Sequence, residues 1–290
     1  MIKEYQGVIL AGGNGSRLFP STLNTSKHLL SIYDKPLIYY SLSTLMLAGV
    51  RDIIIVVNKN HLDAYKKLLG NGSKFGIKIK YKIQDFPEGI PHALKICRSK
   101  KENLNYILTL GDNILYGSDL SNLLQNSLIN STGSTIFTYS VPNPKRYGVL
   151  SKSKNGMKII EKPKNPMSDQ AVIGLYLFDN HVFDYIGQLK KSKRGEYEIA
   201  DLINIYIKNK SINVLKLNRG FTWIDAGTHD SMLLASNHIQ NIEKIQSLKI
   251  SCIEEISLRN NWININDFKK LINTYPESDY KNYLKKIAKL

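Results

Sequence analysis

A glycine-rich segment holds the first residues whose types and spacing could do chemistry. Leu10 to Leu18 reads LAGGNGSRL and directly follows the apolar run Gln6 to Leu10. In an open α/β fold, a strand that leads into such a loop exposes backbone N–H groups at the carboxyl edge of the sheet, where anions bind. Glycine also lets the backbone approach a triphosphate without a Cβ clash. By itself the loop is compatible with a phosphate site or with a plain tight turn.

The spacing within this loop excludes two common phosphate-binding motifs. The dinucleotide-binding pattern GxGxxG would need a glycine at the position of Leu18. The P-loop needs Gly-Lys-Ser or Gly-Lys-Thr at its end, and this loop has neither. Any phosphate site here must therefore use another arrangement.

One aspartate stands where it could hold a metal ion. Asp112 follows the apolar run Asn105 to Leu110 within the sequence GDN. A carboxylate at the carboxyl end of a buried strand suits Mg²⁺ facing the substrates. An isolated aspartate there is equally typical of a turn or a helix cap. The sequence has no HExxH motif or Cys/His cluster, so no zinc-type site is predicted.

The surrounding pattern predicts an α/β fold that would position these residues. Apolar runs without alternation are typical of parallel strands covered on both faces. Strands are predicted over 6–10, 52–57, 77–83 and 105–110, with helices over 36–47, 61–69 and 91–98. After Thr135 the segments become shorter and β-rich, with a helix over 196–209 and a strand over 213–217, and from Ser231 onward the pattern is mostly helical.

We therefore predict a Rossmann-like, mostly parallel open sheet with helices on both faces, plus a C-terminal helical appendage. The predicted domains are an α/β domain over 1–230 and an extension over 231–290 that packs on it or on a partner subunit.

Composition and charge narrow the class of protein further. The 290 residues carry a formal net charge of +16, which suits phosphorylated substrates, nucleic acid or anionic lipid. No RNP1 pattern, zinc-finger spacing or basic zipper is present, so no nucleic-acid partner is predicted. No apolar run reaches transmembrane length, and we see no signal peptide. With Cys97 and Cys252 interpreted as ordinary buried thiols, a cytoplasmic location is expected.

The extended motif resembles the sugar-1-phosphate nucleotidyltransferases. GGNGSRLFPST, followed by Lys27 and by Asp34-Lys35-Pro36, matches the signature GGxGxRLxPxT…K…DKP of that family. The resemblance continues through LGDN, RYGV, EKP, AVIGLY, RGEYEIAD and WIDAGTHDS, and is strongest to the bacterial thymidylyltransferase branch. It covers nearly the whole chain.

The resemblance implies that a sugar-phosphate oxygen attacks the α-phosphorus of a nucleoside triphosphate and releases pyrophosphate, with Mg²⁺ as cofactor. The expected substrates are dTTP and glucose 1-phosphate. UTP or another triphosphate with an amino- or deoxysugar 1-phosphate is the alternative, since specificity depends on few contacts. A non-catalytic nucleotide-sugar sensor is an alternative of another class. The resemblance also implies a homotetramer.

The resemblance also assigns roles to individual residues. It places catalysis on Arg17, Lys27, Asp112, Lys162 and Asp225, with Asp112 and Asp225 as the metal ligands. It places nucleotide binding on Leu10, Gly12, Gly13, Gly15, Ser16, Gln84 and Gly89. It places sugar-phosphate binding on Tyr147, Gly148, Glu161, Lys162 and Val172.

Three positions depart from the thymidylyltransferase pattern. His28 stands where glutamine is usual, Ser31 replaces a proline, and His92 replaces the glutamine of a GLAQA segment. The two histidines are expected near the nucleoside side of the site. Neutral drift and an altered choice of nucleoside or sugar are both compatible with these changes.

Overall fold

The structure is a computed structural model that describes residues 3–153 and 156–289. Its strands are β1 Tyr5–Ala11, β2 Ser31–Ile32, β3 Lys35–Pro36, β4 Asp52–Val57, β5 Lys78–Ile83, β6 Asn105–Leu110, β7 Asn113–Gly117, β8 Ser134–Ser140, β9 Gly148–Ser153, β10 Gly156–Glu161, β11 Gln170–Phe178, β12 Ile212–Lys216 and β13 Phe221–Asp225. Its α-helices are α1 Ile38–Leu47, α2 Leu62–Leu69, α3 Ile90–Ile96, α4 Leu120–Asn130, α5 Val182–Ile186, α6 Ile199–Lys208, α7 His229–Gln246, α8 Ile253–Arg259, α9 Ile265–Asn273 and α10 Asp279–Ile287.

The main sheet has the strand order β10-β9-β11-β6-β1-β4-β5 along its path. Strands β6, β1, β4 and β5 are mutually parallel. Strand β4, which follows β1 and α1 in the chain, lies on one side of β1. Strand β6, which comes later in the chain, lies on the other side. The carboxyl ends of β1 and β6 therefore flank a switch point, where ligands bind in open sheets.

Helices cover both faces of this sheet, as predicted. Ile9 and Ile55 point into one core, which packs against α1 and α4. Val8 and Val56 point into the opposite core, together with residues of α3, α5 and α6. Because alternate residues of one strand enter different cores, both faces need apolar side chains. This requirement explains the unbroken apolar runs, and the predicted α/β class is confirmed.

The second half of the sheet is antiparallel, in agreement with the change of pattern after Thr135. Strand β11 runs antiparallel to β6, β8 and β9. A register shift between Val172 and Tyr176 marks an irregularity in β11. A separate ribbon joins β13 to β7 and aligns Asp225 with Asn113. That pairing brings WIDAGT to the motif GDN, although 109 residues lie between the two motifs in the sequence.

Several predicted boundaries were wrong by one to three residues. Helix α1 begins at Ile38, not residue 36, because Lys35 and Pro36 form the short strand β3. Helix α3 spans Ile90–Ile96 where 91–98 was predicted, and α2 and α6 are likewise shorter than their predicted ranges. Helix α6 begins after Glu198, whose backbone is extended.

The C-terminal segment is helical, as predicted. Thr228 caps α7 by accepting a hydrogen bond from the backbone of Ser231. Phe268, Ile272 and Leu284 form a separate small core within α8 to α10. The division at residue 230 falls in the first turn of α7 and stays a prediction. In the described residues no helix combines the length and apolar character needed to cross a membrane.

Candidate active site

Two adjoining cavities open at the carboxyl edge of the parallel strands. The first encloses about 370 Å³ and the second about 200 Å³. Arg17, Asp112, Glu161 and Lys162 line both of them. Of the predicted catalytic residues, Arg17, Asp112 and Lys162 therefore lie where the two cavities meet, whereas Lys27 lines only the first cavity and Asp225 only the second.

The first cavity collects most of the predicted nucleotide-binding residues. Its lining includes Leu10, Gly12, Gly13, Lys27, Gln84 and Gly89. A Cβ on Gly12 would lie 3.3 Å from Oε1 of Gln84, so the glycine lets the loop and the glutamine side chain approach each other. Gly89 has φ of +101°, and a Cβ there would lie 2.2 Å from the backbone oxygen of Tyr197. Only glycine fits that contact.

Gly15 and Ser16 are not among the residues that line either cavity in the described part of the chain. Gly15 has a φ of +64°, and its carbonyl oxygen accepts a hydrogen bond from Oγ1 of Thr22 at 3.0 Å. Ser16 opens the short 3-10 turn that carries Arg17 into the site. These two residues shape the loop.

The second cavity contains the predicted sugar-phosphate residues. Tyr147, Gly148, Glu161, Lys162 and Val172 all line it. Lys162 adopts a φ of +43°, unusual for a side chain with a Cβ, and its N–H donates to the Tyr147 carbonyl at 3.0 Å. Such backbone conformations persist where the surrounding structure holds them, often at functional sites.

Asn113 links the strands beneath the site through its side-chain amide, and no role was predicted for it from the sequence. Its Oδ1 accepts hydrogen bonds from the N–H of Gly174 at 3.0 Å and from Nε1 of Trp223 at 2.6 Å. Its Nδ2 donates to Oδ1 of Asp112 at 3.1 Å. Asn113 therefore ties β11 and β13 to Asp112.

Asp112 and Asp225 differ in how their charges are compensated. Burial by itself would raise the pKa of Asp112, but the charge of Lys27 and the hydrogen bonds donated by Lys27 and Asn113 act together to hold that pKa below its usual range. Burial and the negative charge of Asp112 raise the pKa of Asp225. Arg17, Lys27 and Arg146 oppose this rise without cancelling it, and Arg146 approaches Asp225 only to 3.8 Å. The two carboxylates therefore still repel each other, and an added cation would relieve that repulsion.

These two carboxylates fit a bound Mg²⁺. They are hard oxygen ligands whose mutual repulsion already shows in the raised pKa of Asp225. Within residues 3–153 and 156–289, no group of three or more His, Cys, Asp or Glu side chains could hold a metal ion. Mg²⁺ is usually bound through one or two carboxylates together with substrate phosphates and water.

The three departures from the family pattern have different surroundings. His28 is buried under Gly111, and its Nδ1 lies 3.1 Å from Oγ of Ser26 and 3.2 Å from the hydroxyl of Tyr65. Burial, with help from Lys27, lowers the pKa of His28 to about 3, so it is neutral. Ser31 is exposed in β2 and lines neither cavity.

His92 lies beside the first cavity, next to Gln84. Its Nδ1 is 3.3 Å from Nε2 of Gln84, and its Nε2 is 3.7 Å from a carboxylate oxygen of Glu88.

Two arginines at the site were not singled out from the sequence. Arg194 lines the first cavity and lies 3.4 Å from Glu198 and 4.0 Å from Glu161. Arg146 lines the second cavity beside Asp225. Arg194 belongs to RGEYEIAD and Arg146 to RYGV, two of the motifs that carry the family resemblance. Their positions within those motifs could have identified both arginines from the sequence.

The sequence matches known proteins over most of its length. The family model described as nucleotidyl transferase matches residues 6–242. A glucose-1-phosphate thymidylyltransferase of Neisseria meningitidis serogroup A is 44% identical over 286 residues, which are 98% of this chain and 99% of the relative. An enzyme of the same name from Xanthomonas campestris is 42% identical over 288 residues, covering 99% of this chain and 98% of the relative.

Solved structures show the same architecture. A crystal structure from Bacillus anthracis, described as a glucose-1-phosphate thymidylyltransferase in complex with sucrose, is 38% identical, with a TM-score of 0.74. The match covers 81% of this chain and 94% of that one. A UDP-glucose pyrophosphorylase complexed with UDP-glucose is 24% identical with a TM-score of 0.70, over 82% of this chain and 99% of that one, and supports the fold alone. From the motif, the cavities and these matches together, the chain belongs to the nucleotidyl transferase family and is a sugar-1-phosphate nucleotidyltransferase.

Proposed function

We propose that this protein converts dTTP and glucose 1-phosphate to dTDP-glucose and pyrophosphate. The observation that carries the proposal is the meeting of two cavities at Arg17, Asp112 and Lys162. One cavity begins at the glycine loop and the other at the EKP segment, so two anionic substrates can bind with their phosphates adjacent. The thymidylyltransferase relatives, at 42 to 44% identity over nearly the full chain, support these substrates.

The first cavity is proposed to hold the nucleotide. Backbone N–H groups of the loop at Gly12 and Gly13 face the triphosphate, and Arg17 neutralises its leaving pyrophosphate. Gln84 reads the base, because a glutamine amide donates and accepts hydrogen bonds together and so matches the imide edge of thymine. Gly89 contributes backbone hydrogen bonds. Leu10, Gly15 and Ser16 shape the loop that carries these groups.

The second cavity is proposed to hold the sugar phosphate. Glu161 accepts hydrogen bonds from sugar hydroxyls, while Lys162 binds the phosphate at the border of the two cavities. Tyr147, Gly148 and Val172 form its walls. Tyr147 is fixed by an edge-to-face contact with Trp223, with ring centroids 5.1 Å apart.

Asp112 and Asp225 would hold the Mg²⁺ that the reaction needs. The ion would supply charge neutralisation at the phosphates as pyrophosphate leaves. Both carboxylates must be ionised for this, and Lys27 already keeps Asp112 so.

Catalysis is then positioning plus charge neutralisation by residues of this chain. Lys162 holds the attacking phosphate in line with the α-phosphorus, whereas Lys27 and Arg17 stabilise the charge that develops on the nucleotide phosphates. The buried, neutral His28 packs beneath the turn that presents Asp112, so it supports the site without charge chemistry of its own.

Pyrophosphate release with Mg²⁺ tests the proposal. We expect turnover with dTTP and glucose 1-phosphate to exceed that with UTP, CTP, ATP or GTP, and with amino- or deoxysugar 1-phosphates. Turnover with a different pair only would keep the chemistry and reject the substrates. Binding of dTDP-glucose without turnover of any pair would reject catalysis in favour of a sensor. The homotetramer and the cytoplasmic location stay predictions.

A further inference from the structure

We propose that His92 is a positioning residue that sets base selectivity by fixing the amide orientation of Gln84. The inference rests on the proposed function, because it takes Gln84 as the residue that reads the base. His92 is absent from the lining of both cavities in the described residues, so it acts behind Gln84 and not on the nucleotide.

The contact between the two side chains fixes the imidazole tautomer. An amide nitrogen can donate a hydrogen bond but cannot accept one. Nε2 of Gln84 lies 3.3 Å from Nδ1 of His92, so Nδ1 is the acceptor and the ring hydrogen is on Nε2. That N–H lies on the side of Glu88, with 3.7 Å between Nε2 and the carboxylate.

Glu88 is itself held in place from two directions. Its other carboxylate oxygen pairs with Nζ of Lys191 at 2.6 Å. Its backbone oxygen accepts a hydrogen bond from the N–H of Tyr197 at 2.9 Å. Glu88 is therefore held on the Nε2 side of His92, where its negative charge favours the tautomer with the hydrogen on Nε2 and leaves the Nδ1 lone pair facing Gln84.

A fixed amide discriminates between pyrimidines. With Nε2 bonded to His92, Oε1 lies toward the glycine loop, 3.3 Å from where a Cβ on Gly12 would be. Thymine presents an N3–H donor beside a carbonyl acceptor, and it matches an amide whose oxygen is available. Cytosine presents an N3 acceptor beside an amino donor, and it would need the amide turned over. Turning it over would set Oε1 of Gln84 against the lone pair on His92, leaving two acceptors facing each other.

Substitution of His92 tests this directly through the ratio of kcat/KM for dTTP to that for dCTP. His92→Leu removes the acceptor, and we expect the ratio to fall by about fivefold to tenfold. His92→Lys supplies only a donor, which favours the turned amide, and we expect a larger fall than with leucine. His92→Gln restores an acceptor and should keep the ratio within about threefold of the wild type. Since each ratio is measured on one sample, a variant that folds only in part still reports it.

A matched control is available in His181. It lies 3.7 Å from the Asp184 carboxylate, much as His92 lies from Glu88, but it follows β11 at the end where Phe178 pairs with Tyr106, away from the site. His181→Leu should leave the ratio unchanged. An unchanged ratio in His92→Leu, with wild type still preferring dTTP, would overturn the role of His92 alone. A wild type without that preference would reject the proposed function itself, and the inference with it.

Discussion

The two adjoining cavities of the site, here called the cleft, contain the aspartates Asp112 and Asp225. A second charge cluster consists of similar side chains but differs in how completely its charges are paired. The second cluster, here called the clamp, consists of Asp34, Lys35, Glu243 and Lys249. Glu243 accepts hydrogen bonds from Lys35 at 2.9 Å, from Lys249 at 3.1 Å and from the N–H of Ile250 at 2.9 Å. Asp34 pairs with the same two lysines. The clamp thereby fastens α7 to the segment that precedes α1.

The cleft leaves its charges less completely matched. Asp112 is paired with Lys27, but Asp225 meets Arg146 at a distance of 3.8 Å and carries a raised pKa. Removing one partner from a network of paired charges leaves an uncompensated charge and destabilises the fold, whereas incompletely paired charge in a cavity is typical of a site that binds ions or substrate. The comparison predicts that mutations in the cleft change activity and that mutations in the clamp change stability.

The largest expected effect is that of Asp112→Asn. The amide is a poorer metal ligand and leaves Lys27 without its anionic partner, so kcat/KM should fall by about 1,000-fold in pyrophosphate release. The thermal midpoint should stay within a few degrees of the wild type, because the loss of the Lys27 ion pair is offset by the loss of the repulsion between Asp112 and Asp225. A variant that keeps more than a tenth of the activity would break the assignment of the cleft to catalysis.

The next effect is that of Glu243→Gln in the clamp. The buried Lys35 and the half-buried Lys249 would lose their shared anion, which should lower the free energy of unfolding by about 3 kcal/mol in urea titrations. KM for both substrates should be unchanged at low temperature. Glu4→Gln is the matched control, because Glu4 pairs with Lys101 at the exposed surface, and it should alter stability little. Equal losses in the two variants would remove the structural role of the clamp.

A smaller effect is expected from Mg²⁺ alone. Binding to the folded state only should stabilise the protein by about 2.7 kcal/mol when free Mg²⁺ exceeds its Kd 100-fold. The thermal midpoint should rise when Mg²⁺ is added and return to its original value when EDTA removes the ion. In Asp225→Asn the rise should be strongly reduced. An equal rise in that variant would show that Mg²⁺ binds elsewhere.

The smallest effect concerns Glu161. Burial raises its pKa, offset in part by Lys162, so the folded protein keeps this proton to a higher pH than the unfolded chain does. Stability from this group is therefore lost as pH rises from the usual glutamate value through the raised pKa. Glu161→Gln should remove that slope and stabilise the protein at pH 7 by about 1 kcal/mol or less, while raising KM for glucose 1-phosphate. A loss of stability at pH 7 in Glu161→Gln would contradict this prediction.

Much of the fold was accessible from sequence because local patterns determine it. The apolar runs of β4 and β6 predicted buried parallel strands, and those strands are present over Asp52–Val57 and Asn105–Leu110. Helix boundaries were less accurate where tertiary pairing competes with helix formation, as at β3 before α1. Strand β7 and helix α4 were not predicted, and β7 forms only by pairing with β13.

The site was predictable as a set of motifs but not as an arrangement. The sequence by itself determined the glycine loop, Arg17 and the aspartates of GDN and WIDAGT, because their spacing within each motif is local. Only the tertiary structure decided that β13 pairs with β7 and sets Asp225 against Asn113. Only it decided that His28 is buried under Gly111, whereas His92 faces Gln84. Contacts between distant segments depend on how the sheet and the helices pack. The spacing of residues along the chain does not specify that packing.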